Sequence, residues 1–497
     1  MKRPNILVFM TDQQRGDSVY PKQRAISPNV TKFAKEGVTF SNAHTIAPHC
    51  CPSRATFFSG LYPSEHGVWN NVEVGNALSK GLYEGIRLFS EDLKESGYRT
   101  YFSGKWHVSA VENPLHRGFD TYRVDMVSVP NTKYNGDMTY KLPEQYEWKA
   151  YENCAYDGER KLGQILRNGY GTYTHYGEEE NPKHDEDIIF DAIDIIKNRS
   201  NVDKEFGIDH SGGQPWFQYV GPVGPHDPYF VPQEYLDLYQ NVTITLPENF
   251  KDILKDKPGL YRKIKDKFDQ LSEAEHIEAM RHYLAYCTYE DFLFGEVMKA
   301  LEESGEKDNT LVIYLSDHGD YMGEHGLWCK GLPCFESAYH IPAICRWPEG
   351  ITSPNRIIED FITLADFAPT FLEVAGIQTE RHFTGHSLLP YLKNEKPKVI
   401  QDAFFTQTNG NELYGIQRSV TTKEWKYVYN GFDYDELYDL KNDPLEMYNV
   451  IGEYKESEIL KELSLKLWKF ARKTNDVCIN SYILVGLAPY GPGIIFE

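Results

Sequence analysis

Short apolar runs recur along the chain, and each gives way to a polar cluster. NILVFMTDQQ ends at Asp12 and Gln13. YRTYFSGKWH ends at Lys105 and His107, WFQYVGPVGPHDPY at His226 and Asp227, and TLVIYLSDHGD at Asp317 and His318. Runs of this length, rich in Val, Ile, Tyr and Phe, predict buried strands. Helical patterns lie between them. SPNVTKFAKEG places Ser27 as N-cap, Pro28 at the first helical position and Gly37 past the end. LFSEDLKESG and DFLFGEVMKALEESG carry helical spacing and stop at glycine. Alternating strand and helix predicts an α/β fold with a large, mostly parallel sheet flanked by helices. Ligands of such sheets lie beyond the carboxyl ends of the strands. All four polar clusters sit there, so four separate segments make one geometric prediction.

The last hundred residues follow another pattern. YGIQRSVTTKEWKYVYN and ELYDLKNDPLEMYNV read as antiparallel strands and a turn, and SEILKELSLKLWKFARK reads as a helix. We therefore expect a large α/β domain over residues 1–390 and a smaller C-terminal α+β domain over 391–497. A chain of 497 residues is long enough for both. The apolar tail CINSYILVGLAPYGPGIIFE is a candidate surface for self-association into a homo-oligomer.

Composition narrows the partners. Hydrophobic residues make up 41% and charged residues 25%, as in an ordinary soluble protein, and the formal net charge is -21. That charge disfavours nucleic acid and anionic membranes but leaves room for a basic pocket that takes a small anion. No stretch approaches the ~20 apolar residues of a membrane span. The run Ile6–Met10 is too short for a signal-peptide core, and Asp12 follows at once. The expected location is cytoplasmic as the chain is written, or periplasmic or secreted had a leader been removed. Eight scattered cysteines make no disulfide framework or zinc spacing.

Asp12, Gln13, Asp317 and His318 form an oxygen-rich set with one imidazole, which suits a hard divalent cation. Either Asp alone reads better as a cap for the turn that follows. Two such pairs, with basic residues at two other strand ends, favour a site. Arg54, Lys105, His107, His226 and Lys330 are each ordinary alone. Converging beside a cation, they describe a pocket for a tetrahedral oxyanion such as sulfate or phosphate. HTIAPHCCPSRATFFSG sets two cysteines at the mouth of a helix, with Pro52 and Ser53 in its first turn. Buried core cysteines are one reading. The other is a reacting residue at a helix N-terminus, where free N–H groups and the helix dipole favour an anion.

Cys50-Cys51-Pro52-Ser53-Arg54 resembles the C-x-P-S-R signature of the sulfatase family, within the alkaline phosphatase superfamily. The motif selects Cys50 and leaves Cys51 as the variable position. SPNVTKFAKEGVTF, SGLYPSEHGV, SGKWH, GPHDPY, SDHGDYMGEHGLWCKG and ELYDLKNDPLEMYNV are similar to the family's other motifs, in order, from Asn5 to about Asn449. The resemblance implies an alkaline-phosphatase-like fold and a sulfuric ester hydrolase. It implies that a maturation enzyme oxidises Cys50 to formylglycine, an aldehyde whose hydrated diol is held on calcium, with magnesium or manganese as alternatives. Asp12, Gln13, Asp317 and His318 would hold the cation. One diol oxygen would attack sulfur, and the other would then be deprotonated to expel sulfate. Arg54 would orient the nucleophile, and Lys105 and Lys330 would neutralise sulfate oxygens. His107 would take the diol proton in the release step, and His226 would protonate the leaving oxygen or bind sulfate. Strand alternation would point Lys105 and His107 to one face.

Two positions depart from the family's common pattern. Gln13 stands where many members carry a second Asp, and His318 where many carry Asn. These pairings also occur in choline-sulfatase-like and phosphonate monoester hydrolase branches. The phosphonate branch tends to lack the Ser-Arg spacing and the Lys-x-His of GKWH, which are present here. The expected substrate is thus a small-molecule or glycan sulfate ester, with a lean to a sulfated carbohydrate. A phosphonate monoester or phosphodiester hydrolase stays open as the alternative, and a catalytically inactive binding protein as a remote one. Recognition is expected from loops such as 126–182 and from the C-terminal domain.

Overall fold

The computed structural model describes residues 3–74, 77–123, 158–167, 171–209, 212–411, 413–484 and 486–497. Most of the Tyr-rich part of the 126–182 stretch, and Cys154, lie outside these residues. The main sheet has eight strands: β1 (Asn5–Thr11), β2 (Val38–Phe40), β3 (Arg99–Gly104), β4 (Thr121–Tyr122), β5 (Trp216–Gly221), β6 (Thr310–Ser316), β7 (Ala343–Arg346) and β8 (Arg356–Ile358). Their spatial order is β8-β2-β7-β6-β1-β5-β3-β4. β7 runs antiparallel to both its neighbours, and every other adjacent pair is parallel.

The apolar runs are long because both faces of the sheet are covered. All seven residues of β1 are buried, and they alternate between two cores. Leu7 and Phe9 pack with Ile188 and Ile195 of α4 (Asp185–Glu205) and with Tyr283 and Phe294 of α5 (Glu273–Glu303). Ile6, Val8 and Met10 pack with Phe57 and Phe58 of α2 (Cys50–Ser59), Phe89 of α3 (Phe89–Glu95) and Phe371 of α6 (Phe367–Val374). The predicted first helix is α1 (Pro28–Lys35), with Pro28 at its first position. Each such side chain taken fully out of water contributes roughly 1.5–3 kcal/mol, so the strand ends are set on a rigid base.

The boundary expected near residue 390 falls in a short helix, Leu389–Leu392. Beyond it, β9 (Ala403–Gly410), β10 (Tyr414–Thr422), β11 (Trp425–Asn430) and β12 (Glu436–Asp439) form a four-stranded antiparallel sheet. Val420, Tyr427 and Leu437 on one face pack against Leu460, Leu467 and Trp468 of α7 (Glu458–Lys473). Val428 and Tyr438 on the other face pack against Leu327, Phe335 and Tyr339 of the larger unit. The apolar tail folds back into the α7 core through Cys478, Ile483, Ala488 and Ile494. These positions, taken from sequence as a self-association surface, serve the chain's own packing. Among the described residues, no helix is long and apolar enough to cross a membrane.

Candidate active site

β6, β1, β5 and β3 are adjacent and parallel, so their carboxyl ends open on one place. Asp317 and His318, Asp12 and Gln13, His226, and Lys105 and His107 follow those four strands in turn. Residue 50 meets them as the first residue of α2, a helix buried along its whole length.

At the centre, the Cys50 Sγ lies 3.3 Å from His318 Nε2, 3.4 Å from Lys105 Nζ and 3.6 Å from Asp12 Oδ1. His318 Nε2 is 3.6 Å from Asp12 Oδ1 and 3.6 Å from Asp317 Oδ1. His318 Nδ1 is engaged by the Gly319 carbonyl at 2.9 Å, which turns Nε2 inward. Ligand atoms of Asp12, Cys50, Asp317 and His318 all fall within 4.8 Å of one another. The outer carboxylate oxygens face Arg54, which is fully buried. Its Nη2 donates to Asp12 Oδ2 and its Nε to Asp317 Oδ2, both at 2.9 Å. Its Nη1 donates to the Lys105 carbonyl and the Tyr219 hydroxyl. Expected from sequence to orient the nucleophile, Arg54 instead holds the two carboxylates and makes no bond to Cys50 among the described contacts.

Two hard oxygens, an imidazole and a sulfur position, backed by one guanidinium, fit a single divalent cation. The charges point the same way. Burial and Cys50 push the Asp12 carboxyl up, but Lys105, His226 and Arg54 outweigh them and hold it below the carboxylate range. Burial and the Asp12 charge instead raise Asp317. Two carboxylates that resist ionising together are relieved by a cation between them.

Gln13 has a left-handed backbone (φ 68°). Its Oε1 accepts from Lys330 Nζ at 2.5 Å, and its Nε2 donates to Asp320 Oδ2 at 2.5 Å. These two neighbours orient the amide unambiguously, oxygen to the ammonium. A carboxylate here would face Asp320, which burial already pushes up to about 6. That is a physical reason for the amide. Lys330 Nζ is also 2.6 Å from His226 Nε2, and His226 Nδ1 is 2.6 Å from the Asp227 carbonyl. The arrangement makes Nδ1 the protonated nitrogen and Nε2 the acceptor from Lys330.

The Lys105–His107 prediction needs correcting in its reason. β3 ends at Gly104, and His107 has φ 51°, so both residues sit in a loop where strand alternation does not apply. Lys105 Nζ donates to Asp12 Oδ2 at 2.6 Å. His107 turns toward Cys51, with Nε2 2.6 Å from Glu73 Oε2. The helix N-terminus also differs from expectation. The Cys51 N–H donates to Asn71 Oδ1 at 3.1 Å and so is not free for an anion.

The adjacent cysteines are electrostatic opposites. Burial pushes the Cys50 thiol up, but Lys105, Lys330 and His318 outweigh it and bring it well below its ordinary value. Burial pushes Cys51 up to about 12. Sequence reading missed Glu73, Asn71, Asp320 and Tyr219. The first two lie on a loop after α2, Asp320 lies three residues past a predicted ligand, and Tyr219 is hidden inside an apolar strand.

A cavity of about 410 Å³ opens onto this centre, lined by Cys50, Lys105, His107, Lys183, His226 and Asp227 among others. The arrangement can hold a divalent cation beside a nucleophile and surround a tetrahedral anion with lysine and histidine.

The family model described as Sulfatase matches residues 4–377, and that of the N-sulphoglucosamine sulphohydrolase C-terminal region matches 323–473. The chain is 30% identical to the choline-sulfatase of Rhizobium meliloti over 90% of its own length and 82% of that protein. It is 27% identical to the N-acetylglucosamine-6-O-sulfatase of Bacteroides thetaiotaomicron over 96% of its length and 87% of that protein. The fold is similar to the crystal structure of the phosphonate monoester hydrolase of Agrobacterium radiobacter. That likeness has a TM-score of 0.73 and 21% identity, and covers 95% of this chain and 96% of the other.

Proposed function

The chain belongs to the sulfatase family and is a sulfuric ester hydrolase, and from that premise we propose that it cleaves sulfate esters of carbohydrates with residue 50 as the site of attack. The observation that carries the proposal is the cluster of Asp12, Cys50, Asp317 and His318, flanked by Lys105 and Lys330 and braced by Arg54. Asp12, Asp317 and His318 would hold the cation, calcium by preference for its oxygen-rich shell, with Gln13 at its edge. A cation bound there supplies charge that activates the nucleophile and offsets the sulfate oxygens. Formylglycine made from Cys50 supplies an oxygen nucleophile with a second hydroxyl for release.

The chain's own residues do the rest. Arg54 keeps both carboxylates aimed inward. Lys105, 3.4 Å from residue 50, and Lys330, whose charge also acts on it, take sulfate oxygens as charge builds on them. Glu73 holds Nε2 of His107, which leaves Nδ1, without a hydrogen-bond partner among the described residues, to take a proton in release. His226, which lines the cavity, protonates the leaving oxygen or binds sulfate, and Lys330 keeps its charge for the sulfate oxygens.

The family relatives act on choline or N-acetylglucosamine sulfates by name. Here Lys183 and Lys105 both line the cavity. A quaternary ammonium would meet like charge there, which favours the sugar. The phosphonate monoester hydrolase reading draws on Gln13 and His318 and on the shared fold. The retained Lys105-x-His107 pair favours sulfate. The test is a sulfate-release screen of converted enzyme across glycan, choline and aryl sulfates, run beside an aryl phosphonate ester. Fastest release from a sugar sulfate is expected. Preference for the phosphonate or for choline sulfate would overturn the reading.

A further inference from the structure

Lys183 occupies an odd position. It lies in a short turn, Pro182–His184, that leads into α4, and both it and His184 have left-handed backbones (φ 54° and 59°). Two successive non-glycine residues in this region are strained, and such strain collects at functional sites. The turn is held from the α4 side. Asp185 accepts the N–H groups of Val223 and Gly224 at 2.6 and 2.9 Å, which ties the turn to the loop that carries His226.

The strained turn places Lys183 on the wall of the catalytic cavity, with Cys50, Lys105, His107, His226 and Asp227. Lys183 is half-buried. Among the described residues it has no hydrogen bond or ion pair. The nearby carboxylates are engaged elsewhere. Asp227 Oδ2 accepts from the Tyr173 hydroxyl at 2.7 Å, and Asp227 Oδ1 faces His226 Nδ1 at 3.4 Å. Asp185 takes the two backbone donors and the Tyr286 hydroxyl. Burial draws the Lys183 pKa below its ordinary value despite Asp227 and Asp185, and the Lys105 charge adds to the fall. Lys183 thus brings three ammonium donors to the lining of a cavity, with no hydrogen-bond partner for them among the described residues. The sulfate under attack does not need them, because Lys105 already touches residue 50 and the charge of Lys330 acts on it.

We infer that Lys183 binds a second anionic group on the same substrate molecule, a sulfate or a carboxylate next to the ester being cleaved. The enzyme then selects polyanionic sulfated sugars over singly sulfated ones. This rests on the sulfatase reading above and deepens it. A substrate's second charge supplies the counter-ion that the fold withholds, in a cavity where a charge-assisted contact is stronger than in open water. An isolated lysine on so acidic a chain is otherwise free to pair with one of many carboxylates.

The test compares kcat/KM for glucosamine carrying two sulfates with that for glucosamine carrying one. A second arm compares a monosulfated disaccharide containing a uronic acid with its neutral counterpart. The first arm reads a sulfate as the second anion, and the other reads a carboxylate. Wild type should prefer the doubly charged member of at least one pair by about tenfold or more. Lys183→Met should bring that ratio close to one, chiefly through KM, and Lys183→Arg should keep most of it. Added salt should shrink the wild-type ratio. The inference is overturned if wild type releases sulfate from the singly charged sugars with no preference, or if Lys183→Met leaves the ratio unchanged. Failure to release sulfate from any ester overturns the underlying reading as well.

Discussion

His107 Nε2 stands 2.6 Å from Glu73 Oε2, and the side chains of these two residues form one group with Cys51 behind the attacking position. Burial draws the His107 pKa down, but the Cys51 sulfur and the Glu73 carboxylate outweigh it and raise it well above its ordinary value. A base whose pKa is raised works only as pH rises through that value. Glu73→Gln removes the negative charge and lowers the pKa. The rising limb of the pH–rate profile should therefore move to lower pH by about one unit, and the plateau should fall because the imidazole is a weaker base. A profile that does not move would remove Glu73 from the release step.

The two histidines should fail at different steps. His107→Ala should accumulate sulfated enzyme and give one burst of alcohol. His226→Ala should slow the first step, most for poor leaving groups, because the proton that His226 gives the leaving oxygen is lost. Rapid-quench kinetics with a series of aryl sulfates reads both. A burst from the His226 variant and none from the His107 variant would reverse the assignment.

Arg54 and Lys330 should separate stability from activity. Arg54 is fully buried and bonded to two buried carboxylates. Arg54→Met leaves Asp317 without its guanidinium and Asp12 with Lys105 alone, and should cost about 3–5 kcal/mol of stability. Lys330 is partly exposed and pairs with His226 of the cavity wall, so Lys330→Met should lower kcat/KM by about a hundredfold or more with a small change in Tm. Denaturant melts beside steady-state kinetics check both.

Cation binding should be visible without turnover. Chelation should lower Tm, and restored calcium at about a hundred times its Kd should return roughly 2.7 kcal/mol of stability. Asp317→Asn should remove most of that response. A calcium-independent Tm in wild type would contradict the Asp12, Asp317 and His318 centre.

His66 sets an acid limit. It is fully buried, accepts the Val68 N–H at Nδ1, and pairs through Nε2 with Thr56 of α2. Burial lowers its pKa from 6.5 to about 3. A depressed histidine contributes stability that is whole above the unfolded value and is lost as pH falls toward the folded one. Between pH 6.5 and 5 this comes to about 2 kcal/mol. His66→Gln keeps the acceptor and cannot take the proton, so its urea midpoint should fall less than that of wild type between pH 7 and 5.

The parts legible in sequence are those tied to strand ends. Asp12, Lys105, His226 and Asp317 each close an apolar run, and parallel strands must deliver such residues to one edge. The main sheet and the C-terminal antiparallel sheet were readable for the same reason of period. Glu73, Asn71 and Lys183 sit on loops and turns with no period, and only tertiary packing places them. The motif resemblance implied a role for Arg54 at the nucleophile, but not that its guanidinium would bridge Asp12 and Asp317, because that contact joins three segments far apart in sequence. The Lys105–His107 geometry was misread because β3 stops one residue before Lys105.

Everything proposed for the site requires that residue 50, and not its neighbour, is the reacting position. Mass spectrometry of the peptide carrying both cysteines, from a host with the maturation enzyme, tests it most directly. An aldehyde at 50 and an unmodified thiol at 51 are expected, with sulfate release lost in Cys50→Ala. An aldehyde mapped to 51, or full sulfate release by Cys50→Ala, would contradict it.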